Sequence, residues 1–143
     1  MIVVGAGQIS MAIARRIGYG MKIVLGDKKK EKVDTIAKIM NDAGFDTVSL
    51  EMDLSSRESI LNLIAEAQKY GSITKLVNGA GVSPSQAPVE AILKVDLYGS
   101  AVLLEEVGKV IAEGGSGVTI SSQSGFRIQA RKLFFVQRTL ALN

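Results

Sequence analysis

The chain has neither cysteine nor histidine among its 143 residues. Without cysteine there is no disulfide framework, and no thiolate to bind a metal or attack a substrate. Without histidine, Ser-His-Asp triads, imidazole bases and histidine metal ligands are excluded. Any proton transfer must use Tyr, Lys, Asp, Glu or water, and no metal site is expected. Tryptophan is absent, and proline occurs only at Pro84 and Pro88, where a turn or a helix entrance is expected. No apolar run approaches the roughly 18 residues of a membrane span. No basic segment precedes the first apolar residues, so no secretory signal is expected and a cytoplasmic location is the default reading. A large surplus of one charge is also lacking: 17 Lys and Arg face 14 Asp and Glu. The small excess sits at Lys28–Lys30 and in the last 17 residues, at Arg127, Arg131, Lys132 and Arg138. A nucleic-acid partner is not expected from so diffuse a balance.

What is present is an alternation of apolar runs and helical patterns over a length suited to one domain. Val3 and Val4 end a first strand, apolar throughout as suits a parallel strand covered on both faces. Ile9, Ala12, Ile13 and Ile17 recur at helical spacing. Lys22–Leu25 form a second strand closed by Gly26-Asp27, and a charged helix follows with Val33, Ile36, Ala37 and Met40 on one face and Gly44 as its stop. Thr47–Met52 alternates as a third strand. Ser55 is expected to cap the next helix, with Glu58 completing a capping box and Ile60, Leu61, Ile64 and Ala67 facing inward. Thr74–Val77 is a fourth strand. A long helix is expected over about Glu90 to Glu113, then a glycine loop and a fifth strand at Val118–Ser121. Right-handed crossovers between such strands predict a three-layer, doubly wound parallel α/β sheet of Rossmann type, ordered 3-2-1-4-5 and cut short after strand 5.

The opening turn carries chemistry. Gly5 permits a tight turn after the first strand, and Gly7 allows a pyrophosphate to approach the backbone at the helix start, with Gln8 and Ile9 in the same turn. Asp27 lies 22 residues after Gly5, near the spacing for a carboxylate that accepts ribose hydroxyls. Together these predict a dinucleotide site. Asp27 favours NAD over NADP, because a carboxylate would repel a 2′-phosphate. Lys28 follows directly and favours the phosphate, unless Lys28–Lys30 is simply the solvated first turn of a helix.

In this order the chain resembles the short-chain dehydrogenase/reductase family over Met1 to about Gly125. Four segments carry the likeness: the Gly5/Gly7 turn, Asp53 after the third strand, Asn78-Gly79-Ala80-Gly81 after the fourth, and Ile120-Ser121-Ser122-Gln123-Ser124-Gly125 after the fifth. The resemblance implies that Asp53 and Leu54 flank an adenine and that Asn78 steadies the central sheet. It also implies that Ala80 and Gly81 let the cofactor ribose reach the backbone. Ser122 matches the serine that bonds the reacting oxygen. Asp96, in Asp96-Leu97-Tyr98-Gly99, stands where the family usually has a proton-relay asparagine. Plainer roles exist at each position: a turn residue for Asp53, backbone satisfaction for Asn78, a strand-end hydroxyl for Ser122 and a solvated charge for Asp96.

The departures are equally specific. The glycine turn is one residue shorter than the family's commonest form, and Ser10 replaces its third glycine. The family's acid/base pair is a tyrosine with a lysine four residues on, the cation bringing the phenol toward neutrality. Here Tyr19, Tyr70 and Tyr98 are followed at that spacing by Ile23, Thr74 and Val102, and all three precede Ser122. The dyad is absent from this chain. Residues 126–143 read as an atypical basic tail; helical spacing would put Arg131, Phe135 and Arg138 near one face, which does not make a clean amphipathic helix. The expected organisation is therefore a dinucleotide-binding domain over 1–125 and the tail. The expected function is hydride transfer between NAD(P) and a carbonyl or alcohol, with this chain inactive alone; the alternative is a non-catalytic dinucleotide-binding or regulatory module. Excess apolar surface on the helix after Glu90 predicts a homodimer or higher oligomer.

Overall fold

A computed structural model describes residues 1–125; the basic tail lies outside the described residues. The sheet has five parallel strands in the order β3-β2-β1-β4-β5. They are β1 Ile2–Val4, β2 Lys22–Asp27, β3 Asp46–Glu51, β4 Ile73–Asn78 and β5 Ile111–Thr119. The crossover helices are α1 Gln8–Ile17, α2 Lys30–Asp42 and α3 Arg57–Gln68. Between β4 and β5 the chain forms a short α4, Val89–Ile92, a π-helical stretch, Leu93–Gly99, and α5, Ser100–Gly108. The expected topology is the observed one.

Two apolar layers enclose the sheet. One face packs Ile2, Val4 and Val24 against Ile60, Leu63 and Ile64 of α3 and Val102, Leu103 and Val107 of α5. The other packs Val3, Ile23 and Leu25 against Met11 and Ala14 of α1 and Val33, Ala37 and Met40 of α2. Each fully buried aliphatic side chain stabilises by about 1.5–3 kcal/mol relative to exposure. β1 is buried along its whole length because it lies in the middle of the sheet with helices on both sides.

Three local readings are corrected. α1 turns Ser10, Met11 and Ala14 inward, while Ile9 is 58% exposed and Ile17 is also exposed. Small residues win the contact because the helix approaches the sheet closely: a Cβ on Gly79 would stand 2.1 Å from Ser10 Oγ, and one on Gly18 would stand 2.9 Å from Ile23 Cδ1 of β2. α3 is capped by Ser56, whose Oγ accepts from Ser59 N at 3.3 Å. Ser55 is held instead by Asp53, donating from both N (2.9 Å) and Oγ (2.7 Å), an Asx-type turn that moves the cap by one residue. Leu63 takes the inward place expected for Leu61, since residues 60, 63, 64 and 67 share one face.

The largest correction concerns the helix expected over 90–113. It ends at Gly108, and Ile111–Thr119 pairs with β4 rather than continuing the helix. The free edge of β4 supplies a ladder that outweighs the helical pattern of residues 109–113. The strand absorbs its glycines through an irregularity between Ile73 and Lys75 of β4 and their partners Ile111 and Ser116, with Gly114 at φ +74°. The expected glycine loop is thus inside β5, and the expected strand at Val118–Ser121 is only its end.

Candidate functional site

The carboxyl ends of β1, β2 and β4 bring the predicted residues to one edge of the sheet, the usual place for a ligand in an open α/β fold. Gly5 leaves β1 at φ +88°, a conformation suited to glycine. A Cβ there would lie 2.7 Å from Ala80 N and 2.8 Å from Ala80 Cα, so the first turn and the β4 exit loop touch backbone to backbone. Gly7 caps α1 with extended backbone, and a Cβ on it would meet nothing within 4 Å. Gln8 and Ile9 are exposed beside it. α1 has no side-chain cap and no acid in its first turn. Its leading N–H groups, which no intrahelical carbonyl can satisfy, lie at the positive end of the helix dipole. The cradle fits a diphosphate.

Asp27 ends β2 and reaches back to that turn. Its Oδ2 accepts from Ala6 N at 2.8 Å and from Lys32 Nζ at 3.0 Å, and its Oδ1 accepts from Lys29 N at 3.1 Å. Burial works to raise the Asp27 pKa, but these donors outweigh it and hold the carboxyl below its ordinary value. Lys28 turns the other way and pairs with Asp53 Oδ2 at 2.8 Å. Burial again opposes ionisation of Asp53, and Lys28 with the two Ser55 donors overcomes it, leaving the pKa at about 2. Asp53 therefore also serves as the turn residue of the plainer reading. Leu54 beside it is buried in the core, so its side chain packs inward.

Asn78 ends β4 fully buried; its Nδ2 donates to Ser100 Oγ at 3.2 Å. The exit loop continues through half-buried Ala80 and exposed Gly81. Asp96 sits on the π-helical stretch, a local widening often found at functional sites. Its Oδ1 accepts from Val82 N at 3.0 Å, tying that stretch to the exit loop. Ser122 is exposed beyond the end of β5, and its Oγ accepts from Ser124 N at 3.1 Å. The strand-end role is thus occupied, with the hydroxyl proton left to donate. Ile120 N donates to Asn78 O at 2.8 Å, which places the Ser122 segment alongside the β4 exit.

The short chain dehydrogenase family model matches residues 1–133. The chain belongs to the short-chain dehydrogenase family. It is 36% identical over 128 residues to the short-chain dehydrogenase/reductase bsc3 of Alternaria brassicicola, covering 90% of this chain and 47% of that protein. It is 28% identical to tropinone reductase-like 3 of Erythroxylum coca, over 83% of this chain and 50% of that one. Among solved structures, a short-chain dehydrogenase/reductase of the glucose/ribitol dehydrogenase type from Brucella melitensis superposes with a TM-score of 0.77 at 25% identity, covering 88% and 57% of the two chains. A Burkholderia phymatum member solved in complex with NAD superposes with a TM-score of 0.76 at 22% identity, over 87% of this chain and 50% of that one. The chain thus spans about half the length of the curated relatives it matches, and corresponds to the N-terminal part of the family fold.

Sequence reasoning missed four contributors. Ala6 and Val82 act through backbone N–H groups, which leave no trace in residue type. Ser100 partners Asn78 from a helix misjudged in shape. Lys32 carried a signal: in the first turn of a helix beginning near Lys30, side chains tilt toward the N-terminus and hence toward Asp27. Among the described residues no helix is long and apolar enough to cross a membrane.

Proposed function

We propose that this chain is the dinucleotide-binding part of an oxidoreductase that moves hydride between a nicotinamide cofactor and a small carbonyl or alcohol. The carrying observation is the Asp27 carboxylate bonded to Ala6 N, which sets the ribose-type acid against the glycine turn. Gly7, Gln8 and Ile9 would offer N–H groups to the diphosphate. Asp27 would accept from the adenosine ribose, Asp53 and the backbone of Leu54 would border the adenine, and Ala80 and Gly81 would admit the second ribose. The cofactor supplies the hydride chemistry. The uncapped α1 terminus and the open space at Gly7 support the fit. Asp27 supports NAD over NADP.

Ser122 retains a proton with which to polarise a substrate oxygen, and Asp96 holds the exit loop near the same edge. No tyrosine in this chain has a lysine four residues on, so the chain alone turns over little or no substrate. That absence also favours a second reading, a binding or regulatory module without chemistry. Titration calorimetry with NAD and ADP-ribose tests the binding core: micromolar to millimolar saturable binding is expected, and no heat from either ligand overturns it. Robust NADH oxidation with a panel of small carbonyls would overturn the inactivity of the chain. The exposed Leu93, Leu97, Tyr98 and Leu104 support a homodimer through the α4–α5 segment, for which a monodisperse monomer in light scattering is the contrary result. A cytoplasmic setting completes this reading.

A further inference from the structure

Lys32 projects from the first turn of α2 back onto the ribose-type acid, Nζ to Asp27 Oδ2 at 3.0 Å. The carboxylate it meets is largely enclosed, 13% exposed, and already takes backbone N–H bonds from Ala6 and Lys29. A bare carboxylate at this place rejects a 2′-phosphate by repulsion between like charges. Here the repulsion has a counter-charge built in. Lys28 and Asp53 cancel each other one turn away, and Lys29 forms no ion pair among the described residues. The mouth of the adenosine pocket, counted over Asp27, Lys28, Lys29, Lys32 and Asp53, thus carries two negative and three positive groups, where the acid alone suggests a repellent edge.

We infer that Lys32 is a specificity-determining residue that acts through Asp27: by neutralising the acid it makes the preference for NAD over NADP shallow, so that both dinucleotides bind. This rests on the dinucleotide reading above and assigns to it a residue whose type and position, not contact with the cofactor, set the choice. The ion pair is half solvated on the lysine side, 45% exposed, so its effect on discrimination is that of a partly screened charge, about fivefold in relative affinity.

The test titrates the full chain with NADH and with NADPH, following nicotinamide fluorescence, and reads the ratio of the two dissociation constants. The unmodified chain is expected to bind both within about tenfold of each other, a difference near 1.4 kcal/mol. Lys32→Gln is expected to raise the NADPH-to-NADH ratio about fivefold, and Lys32→Arg, which keeps the charge, to leave it near the original value. In an Asp27→Asn background the Lys32→Gln effect on the ratio should vanish, because the charge it offsets is gone. Thermal melts of each variant establish that the fold is retained. An unchanged ratio in Lys32→Gln with NADH binding intact overturns this inference alone. A full Lys32→Gln effect in the Asp27→Asn background also overturns it, since the lysine would then be acting on the cofactor directly. Failure of both dinucleotides to bind the unmodified chain overturns the dinucleotide reading itself.

Discussion

Gly5 and Gly7 belong to one short turn, yet replacing each with alanine should have opposite consequences. At Gly5, alanine meets two penalties. The backbone stands at φ +88°, which costs a residue with a side chain about 1–2 kcal/mol. The new Cβ would lie 2.7 Å from Ala80 N and 3.0 Å from Gly79 C. Those atoms are main chain and have no rotamer to change. Relief requires the ends of β1 and β4 to part, which strains the bond from Gly79 N to Val4 O at 2.9 Å. Overpacking of this kind costs about 1–3 kcal/mol, so Gly5→Ala should destabilise by about 3–4 kcal/mol. With a urea m-value near 2 kcal/mol/M, the midpoint should fall by about 1.5–2 M. At Gly7 the backbone is extended, φ −88°, and a Cβ meets nothing. Gly7→Ala should stay within about 0.5 kcal/mol of the parent but weaken NAD binding about tenfold, because a methyl group occupies the approach to the α1 terminus. Urea unfolding followed by circular dichroism reads the first effect and calorimetric titration the second. A Gly5→Ala midpoint close to the parent's would refute the close-approach reasoning, and a Gly7→Ala midpoint falling as far as that of Gly5→Ala would refute the division of labour.

Three further outcomes follow from particular side chains. Ser10 Oγ is buried without a hydrogen-bond partner, so Ser10→Ala should raise stability by about 0.5–1 kcal/mol in the same urea series; a clear loss would show that the hydroxyl is satisfied. Asp53 is held at a pKa of about 2 in the fold against 3.8 ordinarily, so its contribution is complete above the unfolded value and is lost as pH falls through the folded one. The whole shift corresponds to about 2.5 kcal/mol, and screening of a carboxylate one-third exposed reduces the expectation to about 1 kcal/mol. Asp53→Asn should flatten the stability profile between about pH 4 and pH 2, and an unchanged acid limb would contradict the assignment. Glu106 is buried on α5 and takes Arg57 of α3 and Lys109 as partners; Glu106→Gln should cost about 1–2 kcal/mol in urea midpoint measurements, and no cost would remove this pair from the α3–α5 interface.

Legibility followed locality. The β1–Gly5–α1 turn and the acid ending β2 were readable because each signal lies within a few residues: an apolar run, a residue free to take positive φ, a helix start, a carboxylate at a strand end. The topology followed from the alternation of such units and the handedness of their crossovers. What was misread depended on partners distant in sequence. α1 buries Ser10 rather than Ile9 because Gly79, 69 residues later, brings β4 up against it. Residues 111–117 look helical or loop-like in isolation and become strand because Leu76, Val77 and their neighbours present an unpaired ladder. The π-helical stretch has no hydrophobic period of its own; Gly99 lies where a Cβ would be 2.2 Å from Leu54 O, so the widened turn goes with a close backbone crossing.

That distinction also orders the site. Its floor is close packing against glycine: Gly5 and Gly99 meet the main chain of Ala80 and Leu54, and Gly79 meets the Ser10 side chain. Such contacts accept little change, and they place N–H groups rather than chemical identity at the cleft. Its rim is made of side chains in exchangeable ion pairs, Lys32 on Asp27 and Lys28 on Asp53, each with one partner well exposed to water. On the proposed reading, a cofactor entering this edge would trade those pairs for its own hydroxyls and ring nitrogens at small net cost, since exposed pairs contribute only about 0–1 kcal/mol each. On the same reading, the floor would decide that a dinucleotide fits, and the rim would decide which one. Substitutions at 5, 79 and 99 should show themselves as changes in folding, whereas substitutions at 27, 28 and 32 should redistribute affinity between cofactors while the sheet beneath them stays as it is.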